Sequence, residues 1–222
     1  ASVTEQQAAA MMLKGLTAWF LLRRCYRVRA GESVLLHSAS GGVGLIALQW
    51  AVSIAAHVIA VVSSDEKAEV TRKYGAADVI VSDREDLVER VRTITKRRGV
   101  SVVYDGVGKD TFFASLDCLM PRGMMVSYGN ASGPVPPISP LELTKRGSLY
   151  LTRPTLFHYI AKPSSLARGA SSLFEIVASG KPSVMLVCKA PQVAEQHRCV
   201  ADHARQHPGH GEQQHAQEDR EP

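Results

Sequence analysis

The sequence predicts an α/β fold, a doubly wound parallel sheet with helices on both faces, and three observations carry that prediction. Short apolar runs recur at Val34–Leu36, His57–Val62, Val79–Val81, Val100–Tyr104, Met124–Tyr128 and Ser148–Leu151. Amphipathic stretches with helical spacing lie between them, the alternation that a parallel sheet requires. At the junction of the first run and its helix stands Ala39-x-Gly41-x-x-Gly44. That is the place and spacing of the dinucleotide fingerprint of the Rossmann fold, with Ala for the first Gly. Six such strands predict the order 3-2-1-4-5-6.

The fingerprint has a physical logic. Val34, Leu35 and Leu36 are flanked by turn residues, as in a strand buried on both faces. Gly41, Gly42 and Gly44 follow, and then Leu45, Ile46, Ala47, Leu48, Trp50 and Ala51 open an apolar helix. A strand that turns through glycines into a helix aims backbone N–H groups and the positive end of the helix dipole at one spot, which suits a pyrophosphate. Ala39, Ser40, Gly41, Gly42, Val43 and Gly44 are therefore the candidate phosphate-binding residues. A plain glycine-rich turn is the alternative, and a second strand at βαβ spacing argues against it.

Composition narrows the classes. The 222 residues suffice for one α/β domain with a core, and 45% apolar content is that of a globular chain. A net charge of +5, scattered Lys and Arg, and 6% aromatics do not make the basic, aromatic-studded face of a nucleic-acid binder. No run of about 18 apolar residues occurs, so no membrane-spanning helix is predicted. Cys25, Cys118, Cys188 and Cys199 stand far apart with no CxxC pair. That spacing predicts reduced thiols in a cytoplasmic setting, and neither disulfides nor a zinc site. Ala1-Ser2-Val3 shows no targeting pattern.

Taken in order, Ala8, Met11, Met12, Leu16, Trp19 and Phe20 recur at three- and four-residue spacing and predict a helix over Glu5–Leu22, interrupted at Gly15-Leu16-Thr17. The second strand, His57–Val62, ends at Ser63-Ser64 with Lys67 just beyond. An NAD-binding domain wants a carboxylate here for the ribose 2′-hydroxyl. A hydroxyl with a nearby ammonium suits a 2′-phosphate, so Ser63 and Lys67 point to NADPH. Ser63-x-x-Glu66 also reads as a capping box that needs no ligand, Lys67 as a solvated helix residue, and Asp65 and Glu66 bring negative charge close by.

A helix over Asp65–Tyr74 closes at Gly75, and Val79–Val81 is the third strand. Asp83 is the expected cap of the next helix, whose face is Leu87, Val88, Val91 and Ile94 and whose end is Gly99. Val100–Tyr104 leads into Asp105-Gly106-Val107-Gly108, at a strand end where ligands gather; Asp105 is expected to bond backbone there. Thr111–Met120 is a helix stopped by Pro121-Arg122-Gly123, and Met124–Tyr128 leads to Gly129-Asn130 and a Pro-rich loop to Pro140. After the sixth strand a last helix spans Ser164–Ala178, completing a domain over 1–181. Beyond it Pro182–Ala190 is briefly apolar, and Pro191–Pro222 is rich in Gln, His, Glu and Arg. With no fixed spacing among its histidines, 182–222 is expected to be an anomalous, disordered tail.

Several longer motifs carry a resemblance. LKGLTAWFLL (Leu13–Leu22), HSASGGVG (His37–Gly44), YDGVGKDTF (Tyr104–Phe112), SLDCL (Ser115–Leu119), GNASG (Gly129–Gly133) and GSLYLTRP (Gly147–Pro154) come in one order and spacing. In these the chain resembles the NADPH:quinone oxidoreductase, or zeta-crystallin, branch of the zinc-independent medium-chain dehydrogenases, from about residue 4 to Lys181. The resemblance implies hydride transfer from NADPH to a quinone or an α,β-unsaturated carbonyl, without zinc and without a strong side-chain acid or base. It implies cofactor contacts at Thr17, Gly129 and Asn130, and it puts Arg153 at the substrate mouth as the single catalytic candidate. For Thr17 a hydroxyl bonded within its own helix is the other reading; for Arg153 it is surface solvation. Where the family has a helix-ending Gly this chain has Ala55, at a cost of about 1 kcal/mol, and where it often has Tyr near the 2′-phosphate this chain has Ser82. The family's partly β, GroES-like N-terminal domain, the other wall of its cleft, has no counterpart in these residues. The likeness stops abruptly after Lys181, as an altered reading frame or a misjoined gene end would make it do. A homodimer through the sheet edge is expected. A nucleotide-binding module without turnover, or a structural fragment, are the competing functions.

Overall fold

Continuous apolar runs on short strands, with apolar helix faces between them, determine the architecture. In the computed structural model, which describes residues 5–179, six strands form one sheet: β1 (Ser33–His37), β2 (His57–Val62), β3 (Asp78–Val81), β4 (Val100–Asp105), β5 (Leu119–Ser127) and β6 (Tyr150–Thr152). Their order is β3-β2-β1-β4-β5-β6 and every pairing is parallel, as predicted. The boundary expected at 181 and the tail expected over 182–222 lie outside the described residues.

Successive strand side chains point to opposite faces, and this chain buries both. Val34, Leu36, Val58, Ala60, Val102 and Tyr104 pack with α1 (Glu5–Phe20), α2 (Gly42–Ser53), α3 (Asp65–Lys73), α7 (Leu156–Ile160) and α8 (Pro163–Ala178). Leu35, Ile59, Val61, Ile80, Val103 and Met125 pack with α4 (Leu87–Ile94), α5 (Phe112–Asp117) and α6 (Leu141–Lys145). Alternate side chains along the strands thus feed two separate cores, which is what double winding means physically.

Gly15 does not interrupt α1, contrary to expectation. A Cβ there would collide with Leu173 of α8, and a Cβ at Gly169 would come within 2.8 Å of Leu16 and 2.9 Å of the Trp19 ring. The two helices therefore meet at reciprocal glycines. Beyond Phe20 the chain widens into a π-turn over Leu21–Cys25. The buried Tyr104 hydroxyl donates to the Leu21 carbonyl there at 3.1 Å, tying the end of α1 to β4.

Two caps differ from the sequence reading. Ser64, rather than Ser63, caps α3, its Oγ accepting from the Lys67 N–H at 3.4 Å. The chain stays extended through Ser64 (φ −150°, ψ 166°), so Asp65 is the first helical residue. Asp86, rather than Asp83, caps α4, accepting from the Glu89 N–H at 2.8 Å. The helix expected over Thr111–Met120 ends at Asp117 because Leu119 already pairs with Val100 in the sheet. Ala55 does take the left-handed conformation, with φ 62°.

Candidate functional site

β1 ends on His37, and Ser38 then turns the chain with a left-handed backbone (φ 50°). The Gly41 N–H closes the turn on the Ser38 carbonyl at 2.9 Å. α2 starts with Gly41 as its cap residue, no side-chain cap and no acidic residue in its first turn. Leu45 donates to the Gly41 carbonyl at 2.8 Å, the first bond of the helix. The N–H groups of Gly42, Val43 and Gly44 have no acceptor among the described residues. Three open donors at the positive end of a helix suit an anion.

The loop residues divide the work. Gly42 faces outward: the nearest atoms a Cβ there would meet are those of the Lys14 side chain, at 2.8 to 2.9 Å. Gly44 faces inward, and a Cβ would run into the Ser38 carbonyl and the Ala39 backbone. Ser40 and Val43 are half-buried at the rim, and Gly41 is exposed. Ala39 departs from the expectation of a ligand contact. It is fully buried and donates its N–H to the Val61 carbonyl at 3.2 Å, so its part is the turn and the core.

At the end of the neighbouring strand β2, Lys67 Nζ donates to Ser63 Oγ at 2.7 Å. The Ser82 hydroxyl donates to the Val62 carbonyl at 3.2 Å, at the same strand tip. The Asp65 carboxylate, a source of repulsion for a phosphate, is engaged by Arg84, with Nη1 at 2.7 Å. The hydroxyl and ammonium singled out in the sequence are thus in direct contact.

A second group gathers at the ends of β5 and β6. Thr17, Phe20, Tyr128, Arg153, Pro154, Thr155 and Leu156 line an open cleft of about 340 Å³. The Thr17 hydroxyl donates to the Leu13 carbonyl at 2.8 Å, so the within-helix reading holds, and the side chain also faces the cleft. Arg153 is not simply solvated: its Nη1 donates to the Ser127 carbonyl at 2.7 Å, joining the exits of β6 and β5. Gly129 has a packing reason to be glycine, since a Cβ would strike the Gly106 backbone. Asn130 is exposed beside it, its carbonyl accepting from the Gly133 N–H at 3.0 Å.

Three features escape a reading of the sequence. Tyr128 lines the cleft as a half-buried phenol. Burial, and next the charge of Asp105, push its pKa up to about 12, so it stays a hydrogen-bond donor. Lys14 lies across Gly42. Beneath the loops runs a buried network. Asp105 accepts from the Val107 N–H at 2.8 Å, the Gly108 N–H at 3.0 Å, the Thr111 hydroxyl at 2.7 Å and the Ser115 hydroxyl at 3.1 Å. Asp105 therefore bonds backbone, as expected. Ser115, having given its proton to Asp105, accepts from His37 Nε2 at 2.9 Å, which puts the ring proton on Nε2. Burial lowers the His37 pKa, with Asp105 opposing. The network locks the loop after β4 to the end of β1, where the glycine turn begins. Its partners are 78 residues apart in the chain, so no local pattern announces it.

An open parallel sheet whose first crossover presents free N–H groups through a glycine turn defines a dinucleotide-binding domain of Rossmann type. The chain belongs to the zinc-binding dehydrogenase family, whose model matches residues 42–162. Among the described residues no group of three or more His, Cys, Asp or Glu is placed to hold a metal ion. The chain is 49% identical over 175 residues to a quinone oxidoreductase of Pseudomonas aeruginosa, covering 79% of this chain and 54% of that protein. It is 49% identical over 173 residues to a 2-haloacrylate reductase of Burkholderia sp, covering 78% and 52%. Among solved structures, Escherichia coli quinone oxidoreductase complexed with NADPH aligns with a TM-score of 0.81 at 43% identity, covering 87% of this chain and 63% of that one. The chain spans about half the length of the curated relatives it matches.

Proposed function

We propose that these residues hold NADPH and that its hydride passes to a quinone or another α,β-unsaturated carbonyl. The pyrophosphate lies on the first turn of α2, along Ser40–Gly44, and the 2′-phosphate meets Ser63 and Lys67. The nicotinamide half runs past Gly129 and Asn130 toward the cleft of Thr17 and Tyr128. The observation that carries this reading is the set of unpaired N–H groups on Gly42, Val43 and Gly44, with no acidic side chain in the turn. The cofactor supplies the hydride; the protein binds, orients and shields it. Arg153, held by the Ser127 carbonyl, turns its remaining donors toward the acceptor oxygen. Widely spaced cysteines support a reaction without zinc and a cytoplasmic setting. The outer strand β6, with Tyr150 58% exposed, supports a homodimer through the sheet edge.

A second reading, a binding module without turnover, is favoured by the openness of the cleft, whose lining comes from α1 and the exits of β5 and β6. Fluorescence titration with NADPH and NADH, beside steady-state NADPH oxidation with a small quinone, separates the two. Binding with turnover supports the oxidoreductase, and binding alone supports the module. Failure to bind either cofactor overturns both.

A further inference from the structure

Lys14 sits on α1, outside every motif that a dinucleotide site would draw attention to. Its Cδ, Cε and Nζ lie 2.8 to 2.9 Å from the point that a Cβ on Gly42 would occupy. The end of the side chain therefore runs along the outer face of Gly42, the first of the three residues, Gly42, Val43 and Gly44, whose N–H groups lack an acceptor. Among the described residues no carboxylate stands at ion-pair distance from Lys14, and the first turn of α2 contributes none. The lysine is held in place from behind. Its neighbour Gly15 is wedged against Leu173 of α8, and the far end of α1 is tied to β4 through Tyr104.

We propose that Lys14 is a ligand of the cofactor's pyrophosphate, an inference that rests on the reading of the glycine loop given above. The reason is charge. A pyrophosphate bridge carries two negative charges, whereas a helix N-terminus supplies the equivalent of about half a positive one. The loop Ser38–Gly44 contains no cation. Lys14 adds a full charge on a flexible stem that reaches a phosphate oxygen from its place over Gly42. Gly42 thus lacks a side chain for two partners at once, the phosphate and the lysine stem. The task differs from that of Lys67, which faces a phosphate that only NADPH has.

The difference makes the test specific. In the full chain, Lys14→Met keeps the apolar stem and removes the charge. It is expected to weaken NADPH, NADH and ADP by one common factor of about ten, the scale of a charge-assisted hydrogen bond, and to leave adenosine unchanged. Lys14→Arg is expected to restore ADP binding to near the wild-type level, and melting temperatures certify that both variants are folded. Unchanged ADP affinity in folded Lys14→Met would overturn the inference while leaving the loop reading intact. So would a loss confined to NADPH, which would put Lys14 at the 2′-phosphate. Wild-type protein that binds none of the three phosphate ligands would remove the loop reading, and this inference with it.

Discussion

Lys67 Nζ donates to Ser63 Oγ at 2.7 Å, joining the first turn of α3 to the residue that follows β2. The two groups expected to read a 2′-phosphate already stand together, next to the strand that carries the glycine turn. Lys67→Ala is expected to weaken NADPH about tenfold and NADH hardly at all, because a charge-assisted hydrogen bond is lost to one cofactor only. Calorimetric titration of both cofactors checks this; equal losses would mean that Lys67 faces elsewhere.

The glycines of the turn should separate binding from folding. The atoms nearest a Cβ on Gly42 belong to the flexible end of Lys14, so in Gly42→Val circular dichroism and melting should stay near wild type while nucleotide binding disappears. Gly44→Ala drives a Cβ into the Ser38 carbonyl and the Ala39 backbone and should cost about 1–3 kcal/mol of stability. Urea denaturation of both variants decides the matter, and the reverse ranking would contradict the inward and outward roles assigned here.

Buried His37 should make the fold sensitive to mild acid. Burial lowers its pKa below the ordinary 6.5, although Asp105 opposes the shift. Below 6.5 the unfolded chain takes up a proton that the folded protein refuses, so the unfolded state binds more protons and stability falls as pH falls. The loss approaches about 1.4 kcal/mol per pH unit until the folded pKa is reached. His37→Gln should reduce the difference in unfolding free energy between pH 7.5 and pH 5.5, whatever it does to absolute stability. A difference as large as in the wild type would place the acid sensitivity in another group.

Ala55 holds φ 62° just past the end of α2. A Cβ in that conformation costs on the order of 1 kcal/mol, which glycine does not incur. Ala55→Gly is therefore expected to raise stability by up to about 1 kcal/mol, measured by thermal melting. A destabilised variant would show that the chain-entropy cost of glycine wins at this site.

What the sequence by itself determined is whatever repeats at short range. Short apolar runs marked all six strands, and their alternation with helices implied both the parallel sheet and its order. The glycine spacing located the turn whose N–H groups stay open, and Ala55 and Asp105 behave as their neighbours in the chain imply. Cap positions slipped, Ser63 for Ser64 and Asp83 for Asp86, because a cap depends on where the backbone leaves the extended state, and several adjacent Ser or Asp residues can serve. Only the tertiary structure decided that Lys14 lies over Gly42, that Gly15 is a contact with Leu173 rather than a break, and that His37 reaches Asp105 through Ser115. These pairings arise where a helix crosses a helix or a strand end meets a distant loop. Periodicity specifies which face of an element is buried, but not which residue of another element packs against it.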